Sequence, residues 1–419
     1  MSAHPEANPI SMIPFGALLL TIAMAPLLGD RWHKHHGKIC GGFAALTVSY
    51  YVLALGSASR VLHAGYEYAS FIIVVGAFFV AAGGIHLQAR GRGTPGSNTL
   101  FLLGGALLGN LVGTVGASML LIRPWIALNR TRFAGFHTAF FIFLVSNIGG
   151  VLVPIGPPLL LGYVKGVPFW WVAQHCWLPW ALTLGAVLLA FYLFDRSNYR
   201  RVEAADTPTT ALGKWQFTGA TNVVAMFALL ACLVLAPAGW RELLIVAITA
   251  AAYWFTAPEI RQRNEFSFAP LKEIAWIFLG IFGTMIPVVD YMQAHATDLG
   301  LRSDVQFYWT TGGLSALLDN APAYLAFLAG AMGLHGGSID DPAQVAAFLT
   351  AHGRSLVAIS LGATCFGALT YIGNGPNLLV KTIVDHSGVK APGFFPYIFK
   401  YALPVLIPVF VLISLLFFR

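Results

Sequence analysis

Residues 146–162 read Ser146-Asn-Ile-Gly-Gly-Val-Leu-Val-Pro-Ile-Gly-Pro-Pro-Leu-Leu-Leu-Gly162, and they constrain the architecture of the chain more than any other segment. It lies in an apolar region long enough for a membrane helix, yet its three prolines and four glycines rule out a regular helix. A broken helix at membrane depth leaves N–H and C=O groups unpaired, and these are tolerated only where they line a cavity or are buried in protein. The stretch therefore predicts a solute-binding break inside a transmembrane helix.

The composition indicates that most of the chain lies in lipid. Of its 419 residues, 57% are hydrophobic and only 10% are charged, whereas soluble domains are about one quarter charged. A surface with so few charges cannot face water, so a soluble enzyme, a nucleic-acid-binding protein and a disordered chain are excluded. The formal net charge of +7 fits the excess of Lys and Arg that cytoplasmic loops of membrane proteins carry.

A second broken stretch occurs in the C-terminal half, where residues 367–381 read Gly367-Ala-Leu-Thr-Tyr-Ile-Gly-Asn-Gly-Pro-Asn-Leu-Leu-Val-Lys381. Three segments of the two halves match in the same order, namely Gly76-Ala-Phe-Phe with Gly280-Ile-Phe-Gly, Gly116–Pro124 with Gly313–Pro322, and Gly150–Gly156 with Gly367–Gly373. Such matches indicate an internal repeat. We therefore predict an all-α polytopic membrane protein with two inverted repeats, each containing a re-entrant helical hairpin and a broken transmembrane helix, a build typical of secondary transporters.

The distribution of basic residues predicts how the chain crosses the membrane. We place the N-terminus outside and let hairpins at Leu100–Arg123 and Val305–Leu334 enter and leave on one side. This topology puts most of the 24 Lys and Arg residues in cytoplasmic segments and predicts an integral protein of the cell inner membrane. The predicted parts are N-terminal transmembrane helices at 1–68, a first repeat at 69–195, a cytoplasmic linker at 196–216, connecting helices at 217–271 and a second repeat at 272–419.

Polar side chains in the broken stretches are the first candidates for a substrate or ion site. Ser146, Asn147, Thr370, Asn374 and Asn377 place oxygen atoms beside the freed carbonyl groups, and hard cations such as sodium prefer oxygen ligands. The alternative is that these side chains only satisfy the broken backbone. We favour the site, because a broken helix in lipid is costly without a use.

Asp319 and Asn320 lie at the predicted turn of the second hairpin. A carboxylate at membrane depth is costly and therefore marks a functional site by default. Asp319 could hold a cation or a proton, each excluding the other, or it could cap the hairpin. The predicted repeat counterpart of Asp319-Asn320 is Ile122-Arg123. Arg123 could act as a charge partner for a carboxylate or an anion, or could extend to the cytoplasmic surface.

Enzyme motifs are absent from the sequence, which contains no Walker loop, no His-Glu-x-x-His and no Gly-x-Ser-x-Gly. We therefore expect no enzyme activity, no cofactor and no resident metal, apart from a coupling ion, which is Na+, H+ or both. The expected partners are membrane lipid and a small inorganic cation or small anion. A homodimer is left open, and no nucleic acid is expected.

Several motifs carry a family resemblance, namely Phe140-Phe-Ile-Phe-Leu-Val-Ser-Asn-Ile-Gly-Gly150, Tyr163-Val-Lys-Gly-Val-Pro-Phe169, Gly113–Pro124, Leu318-Asp-Asn-Ala-Pro-Ala-Tyr324 and Thr370-Tyr-Ile-Gly-Asn-Gly-Pro-Asn377. They resemble the NhaD-like sodium/proton antiporters of the ion transporter superfamily, which also contains citrate transporters and arsenite pumps. The resemblance implies a site between the hairpin tips and the helix breaks, formed by Ser146, Asn147, Asp319, Asn320, Asn374 and Asn377. An Asp that many relatives carry between Gly156 and Pro157 is missing here, which leaves Asp319 as the best titratable group.

Three functions are open from the sequence. The first is a secondary active transporter that exchanges sodium for protons, with Asp319 alternately holding a proton and helping to hold the cation. The second is a sodium- or proton-coupled transporter of carboxylates such as citrate, or of oxyanions, which the missing Asp favours because its absence removes negative charge. The third is a membrane scaffold subunit without transport, and the repeat and the broken helices argue against it.

Overall fold

The computed structural model describes residues 8–24, 30–88, 93–203, 216–237 and 239–419. Within these ranges nearly all regular structure is helical, and two short strands, β1 (His86–Gln88) and β2 (Gln216–Thr218), pair antiparallel. Seven of the described helices are long and apolar enough to cross a membrane. The predicted class, an all-α polytopic membrane protein, is therefore confirmed.

The described helices form two series that contain the same parts. The first series consists of α1 (Ile13–Ala23), α2 (Asp30–Ser49), α3 (Ala58–Gly83), α4 (Pro95–Asn129), α5 (Gly135–Leu144), α6 (Pro157–Val164) and α7 (Trp171–Glu203). The second series consists of α8 (Ala220–Leu235), α9 (Trp240–Phe255), α10 (Pro258–Arg263), α11 (Ala269–Ala294), α12 (Asp304–Leu317), α13 (Asn320–Leu334), α14 (Pro342–Phe366), α15 (Gly375–His386) and the C-terminal helical segment α16 (Phe394–Phe417).

Helix α4 is a hairpin that turns at Gly113. This residue has φ 74° and ψ 156°, a conformation essentially restricted to glycine. An unbroken helix of 35 residues would hold its ends about 52 Å apart. Instead the arms 95–112 and 114–129 run back along each other, and the Gly93 N–H donates to the Leu128 carbonyl over 2.9 Å. Both ends of α4 therefore lie on one side, as predicted for the first re-entrant hairpin.

The second hairpin consists of α12 and α13, and the long helices that precede the two hairpins are antiparallel. Arg60, near the start of α3, pairs with Asp290 near the end of α11 over 2.6 Å. Phe79, near the end of α3, contacts Phe266 before the start of α11, with ring centroids 5.5 Å apart. Because each helix is followed by a hairpin, a broken helix and a last long helix, the two repeats are inverted relative to each other.

Flanking helices pack on the opposite repeat, α1 and α2 on α11, and α8 and α9 on α3. Helix α2 runs parallel to α11, and small residues allow a close approach. A Cβ on Gly280 would lie 3.0 Å from the Cβ of Cys40, and one on Gly283 would lie 2.7 Å from the Cβ of Ala44. Contacts of this kind are how membrane helices associate without a hydrophobic driving force.

Three predicted domain boundaries fall inside helices, because an apolar run marks the lipid-buried part of a helix and not its ends. Residue 68 lies in α3, residue 195 in α7 and residue 271 in α11. Helix α7 extends to residue 203, into the predicted linker at 196–216, of which residues 204–215 lie outside the described residues.

Candidate functional site

Both broken helices are interrupted where the sequence has its prolines and glycines. Helix α5 ends at Leu144 and α6 begins at Pro157, whereas α14 ends at Phe366 and α15 begins at Gly375. Each connecting segment contains only one short 3-10 turn. Almost all of the connecting residues are buried, so their backbone polar groups must find partners within the protein or a bound solute.

The two breaks cross, and three asparagines join them. Asn147 donates through Nδ2 to Oδ1 of Asn377 over 2.8 Å. Asn374 donates to the carbonyl of Ser146 over 2.8 Å and to Oδ1 of Asn147 over 3.1 Å. Asn147, Asn374 and Asn377 are all buried. The structure therefore brings together four of the residues selected from the sequence, two from each repeat. We call Asn147, Asn374 and Asn377 the asparagine clamp.

The amide hydrogens of the asparagine clamp are all used within the protein. One hydrogen of Asn147 goes to the carbonyl of Ile142 over 2.9 Å. Both hydrogens of Asn377 go to backbone carbonyls, those of Gly367 at 2.8 Å and Thr370 at 2.9 Å. Each amide has two N–H donors, so the clamp has none left for a solute in this conformation. The alternative left open by the sequence was that these side chains only satisfy the broken backbone, and it accounts for the hydrogen bonds of the three amides.

Each hairpin packs against the break of its own repeat. In the second repeat, the Thr370 hydroxyl donates to the Ala316 carbonyl over 2.6 Å and accepts from the Gly373 N–H at 3.0 Å. In the first repeat, Oδ1 of Asn110 accepts from the Leu152 N–H at 2.9 Å. Sequence reasoning selected Thr370 but missed Asn110. The local signal for Asn110 was a single amide side chain in an apolar, glycine-rich arm of the hairpin.

Ser146 also contacts the first hairpin. Its hydroxyl lies 2.8 Å from that of Ser118, and both side chains are fully buried. The hydroxyl pair joins the first break to the second arm of α4, as the clamp joins the two breaks. Ser146 therefore has one partner in each repeat. Its hydroxyl contacts Ser118 of α4, and its carbonyl accepts a hydrogen bond from Asn374 of the second break.

The predicted correspondence between Ile122-Arg123 and Asp319-Asn320 is wrong. The first hairpin turns at Gly113 and the second at Asp319, so Gly113 is the residue equivalent to Asp319 at the first tip, and Thr114 is equivalent to Asn320. The alignment of the two halves matched Gly and Ser residues of one hairpin with Gly and Ser residues of the other. These residues follow the turn in the first hairpin and precede it in the second, so they do not mark the same position. Arg123 lies well along the second arm, where its half-exposed guanidinium pairs with Glu265 at 2.6 Å. The structure does not bring Arg123 to the breaks.

The tip of the second hairpin carries oxygen atoms with too few partners. Asp319 caps α13 and accepts the Ala321 N–H at 3.1 Å, the one hydrogen bond that its side chain makes to the described residues. Asn320 is 1% exposed, and its Oδ1 has no hydrogen-bond partner among the described residues. Oxygen atoms of this kind are the ligands that hard cations prefer. The tip can therefore offer acceptor oxygens to a cation.

Four half-helices begin at the tips and breaks, namely the second arm of α4, α6, α13 and α15. The N-terminus of a helix carries about half a positive charge. Helices α6, α13 and α15 each have proline within their first three positions, which removes N–H donors that a solute could use. These ends therefore supply positive potential more than directed hydrogen bonds.

A group of charges that the sequence did not predict joins α3 and α11 to segments beside the hairpin and the broken helix. Lys165, just after α6, lies 2.6 Å from Glu67 of α3 and 2.5 Å from Asp340, which precedes α14. Arg60 of α3 lies 2.6 Å from both Asp340 and Asp290. We call these five residues the ion cluster. Its members come from four segments that lie far apart in the sequence, so no local pattern reveals the cluster.

The ion cluster is a structural bridge rather than a metal centre. His63, Glu67 and Asp340 bring metal-ligand atoms within 4.8 Å of one another, but the Lys165 ammonium already bridges both carboxylates. Burial by itself raises the pKa of Asp340. Lys165 and Arg60 outweigh this effect and hold the pKa of that carboxyl below its usual range.

Comparison with known proteins relates the chain to one family. Residues 5–418 match the CitMHS_2 family, described as putative citrate transport. No curated protein matches the chain. The family match covers both hairpins and both breaks, and it shows a citrate-transport family without specifically showing the NhaD-like group.

Proposed function

The chain belongs to the CitMHS_2 family of putative citrate transport, a family of secondary transporters, and we propose that it carries a citrate-like carboxylate across the membrane together with a coupling cation. The coupling of transport to a cation is inferred from the tip of the second hairpin. There the Asp319 carboxylate and the unpaired Oδ1 of Asn320 offer acceptor oxygens. Oxygen ligands of this kind suit Na+, and the carboxylate alone suits H+.

Charge compensation links the cation to the substrate. Two like charges 4 Å apart repel by about 4 kcal/mol at the effective dielectric constant found near a protein surface. A carboxylate substrate is therefore kept away from an ionised Asp319. A cation bound between Asp319 and neutral oxygens such as that of Asn320 removes the repulsion. The substrate then binds after the cation, and this order makes uptake depend on the cation gradient.

The half-helix ends favour an anion once the cation is bound. Helices α6 and α15 begin at the two breaks, and their positive ends are worth about 0.3–1 kcal/mol each to a nearby anion, more where water is excluded. The amide hydrogens of the asparagine clamp are used within the protein. The clamp therefore shapes the site, and direct contacts to the substrate come from other groups of the breaks and tips.

Alternating access requires one part of the protein to move against another. The asparagine clamp ties the two breaks together, and each hairpin packs on its own break. We therefore assign the breaks and hairpins to one moving unit. Helices α3 and α11, which contact each other along their length, form the other part. Because the ion cluster joins the two parts, its ion pairs must rearrange during transport.

Exchange of sodium for protons is the second candidate, and the surroundings of the Asp319 carboxylate favour it. This carboxylate forms no ion pair with the described residues, so a proton and a cation would compete for it directly. Such competition is sufficient for antiport and needs no carboxylate substrate. The two candidates therefore differ in whether cation movement requires the anion.

Proteoliposomes that contain the purified full-length protein test the proposal. We expect saturable uptake of radiolabelled citrate that increases with an inward Na+ or proton gradient and is inhibited by other di- and tricarboxylates. Protein-free vesicles provide the background. Citrate uptake that ignores both gradients would contradict the coupling, and the absence of any carboxylate uptake would contradict the substrate class. Sodium-for-proton exchange without added carboxylate would establish the second candidate instead.

A further inference from the structure

A basic pocket lies apart from the breaks and hairpins, between the first turns of α2 and α11. It has a volume of about 550 Å³ and is lined by Lys34 and Lys38 of α2 and by Lys272 and Trp276 of α11. None of its lining residues belongs to a hairpin or a broken helix. The proposed transport site therefore does not account for it.

The three ammonium groups of this pocket have no carboxylate partner among the residues that the structure describes. Lys34 and Lys38 are one helical turn apart and share a face of α2, and both are exposed, as is Lys272. Each forms no ion pair with the described residues, in contrast to Arg60, which has two carboxylate partners. Three like charges around one cavity repel each other unless an anion binds between them. The pocket is therefore complementary to a group with more than one negative oxygen, such as a phosphate.

The shape of the pocket depends on a close contact between its two helices. A Cβ on Gly37 would lie 3.2 Å from the indole ring of Trp276, so the missing side chain lets the ring lie against α2. Tryptophan is enriched at the level of lipid headgroups. The ring therefore forms a wall of the pocket at the depth expected for a headgroup.

The surface that continues from the pocket is apolar. Lys34 is the first residue of the membrane-crossing stretch that extends to Ala54, and Lys272 lies in the first turn of the stretch Ala269–Ala294. Further along this stretch, Leu46 of α2 is 60% exposed, and Leu53, in the π-helical turn that follows α2, is 82% exposed. A basic pocket at the end of two membrane helices, followed by exposed leucines, matches a phosphate headgroup with an attached acyl chain better than a soluble anion.

We propose that this pocket binds the phosphate headgroup of an anionic phospholipid, with an acyl chain along the exposed side chains of Leu46 and Leu53. The lysines lie on the side that the positive-inside distribution assigns to the cytoplasm, where anionic lipids attract basic residues. The lipid would hold α2 against α11. Helix α11 belongs, with α3, to the part against which the breaks and hairpins are proposed to move. This site is independent of which solute the protein carries.

Native mass spectrometry of the full-length protein, released from nanodiscs that contain phosphatidylglycerol or phosphatidylcholine, tests the proposal. We expect retention of phosphatidylglycerol by the wild type, and a decrease of about tenfold or more in the anionic-to-zwitterionic ratio for the variant Lys34→Gln/Lys272→Gln. The charge-preserving variant Lys34→Arg/Lys272→Arg should retain the lipid. The matched control is Lys390→Gln/Lys400→Gln, which removes two charges elsewhere and should leave the ratio unchanged.

Two results would overturn the assignment. One is an unchanged ratio in Lys34→Gln/Lys272→Gln, or an equal loss in the control, because retention would then not depend on this pocket. The other is displacement of phosphatidylglycerol by millimolar inorganic phosphate or citrate, which would show a site for a soluble anion. Unfolding midpoints in neutral detergent verify that all variants are folded. If Lys34→Gln/Lys272→Gln does not fold, the lipid ratio of Lys34→Arg/Lys272→Arg is compared with that of the wild type instead.

Discussion

Asn147 and Asn377, one in each broken helix, are joined by a side-chain hydrogen bond of 2.8 Å. Both side chains are fully buried. Since their amide hydrogens are all donated to the protein, this contact sets the position of one break relative to the other. The connection between the two repeats is therefore made by neutral amides, which can stay paired in lipid without the desolvation penalty of buried charges.

Removal of the Asn377 side chain should separate the breaks and abolish transport. The change Asn377→Ala leaves two backbone carbonyls and one hydrogen of Asn147 unpaired, and each such buried group costs about 1–3 kcal/mol. We expect a lower unfolding midpoint in detergent and loss of citrate uptake in proteoliposomes. The matched control is Asn198→Ala, since Asn198 is buried and donates to the Arg132 carbonyl far from the breaks. Equal loss of uptake in the control would assign the effect to stability alone.

The change Asp319→Asn should uncouple or abolish transport while the fold is retained. Asparagine can keep the cap on α13, because both residues are good N-caps, but it cannot hold a proton and binds cations more weakly. We expect the Na+ and pH dependence of uptake to disappear, with or without a remaining basal flux. Asp341 is an ideal control, since it caps α14 in the same way and accepts the Ala343 N–H at 2.9 Å. Normal coupling in Asp319→Asn would remove this carboxylate from the mechanism.

The hairpin turn at Gly113 should not tolerate a side chain. An alanine there must adopt φ 74° and places its Cβ 3.3 Å from the side chain of Ile155, for a cost of about 1–3 kcal/mol. We expect Gly113→Ala to lower the unfolding midpoint and reduce uptake. Gly104→Ala, in the same hairpin, meets no atom within 4 Å and should be neutral or slightly stabilising. If the two variants behaved alike, the turn would lie elsewhere.

The ion cluster should give stability that depends on pH through Asp340. Because its folded-state pKa lies below the unfolded value of about 3.9, its contribution is complete above that value and is lost as the pH falls through the lower folded-state pKa. We expect Asp340→Asn to lower the unfolding midpoint at pH 7, and the difference from the wild type to shrink below about pH 4. Asp298→Asn, at an exposed position, should have little effect at either pH. A difference that grows on acidification would contradict the assigned direction.

Local signals in the sequence were enough to predict the class of the protein and the places where its helices break. Apolar runs predicted the membrane helices, and the prolines and glycines at 154–158 and 373–376 predicted the two interruptions. The polar residues of the breaks were selected for the same local reason, and the structure brings Ser146, Asn147, Asn374 and Asn377 to one crossing. By contrast, the residues of the first hairpin that correspond to Asp319 and Asn320 were misassigned, because similar arms do not specify where a chain turns.

The chemistry of a few neighbouring residues is enough to predict where a regular helix cannot continue and where charge cannot face lipid. Which groups meet depends on the packing of the whole chain. The asparagine clamp and the ion cluster join residues from distant segments. For Arg123 the sequence left open a charge partner in the site or a position at the surface, and the fold pairs it with Glu265. A hydrogen bond or an ion pair is selected by which helix faces pack together, and that selection is made by the whole fold.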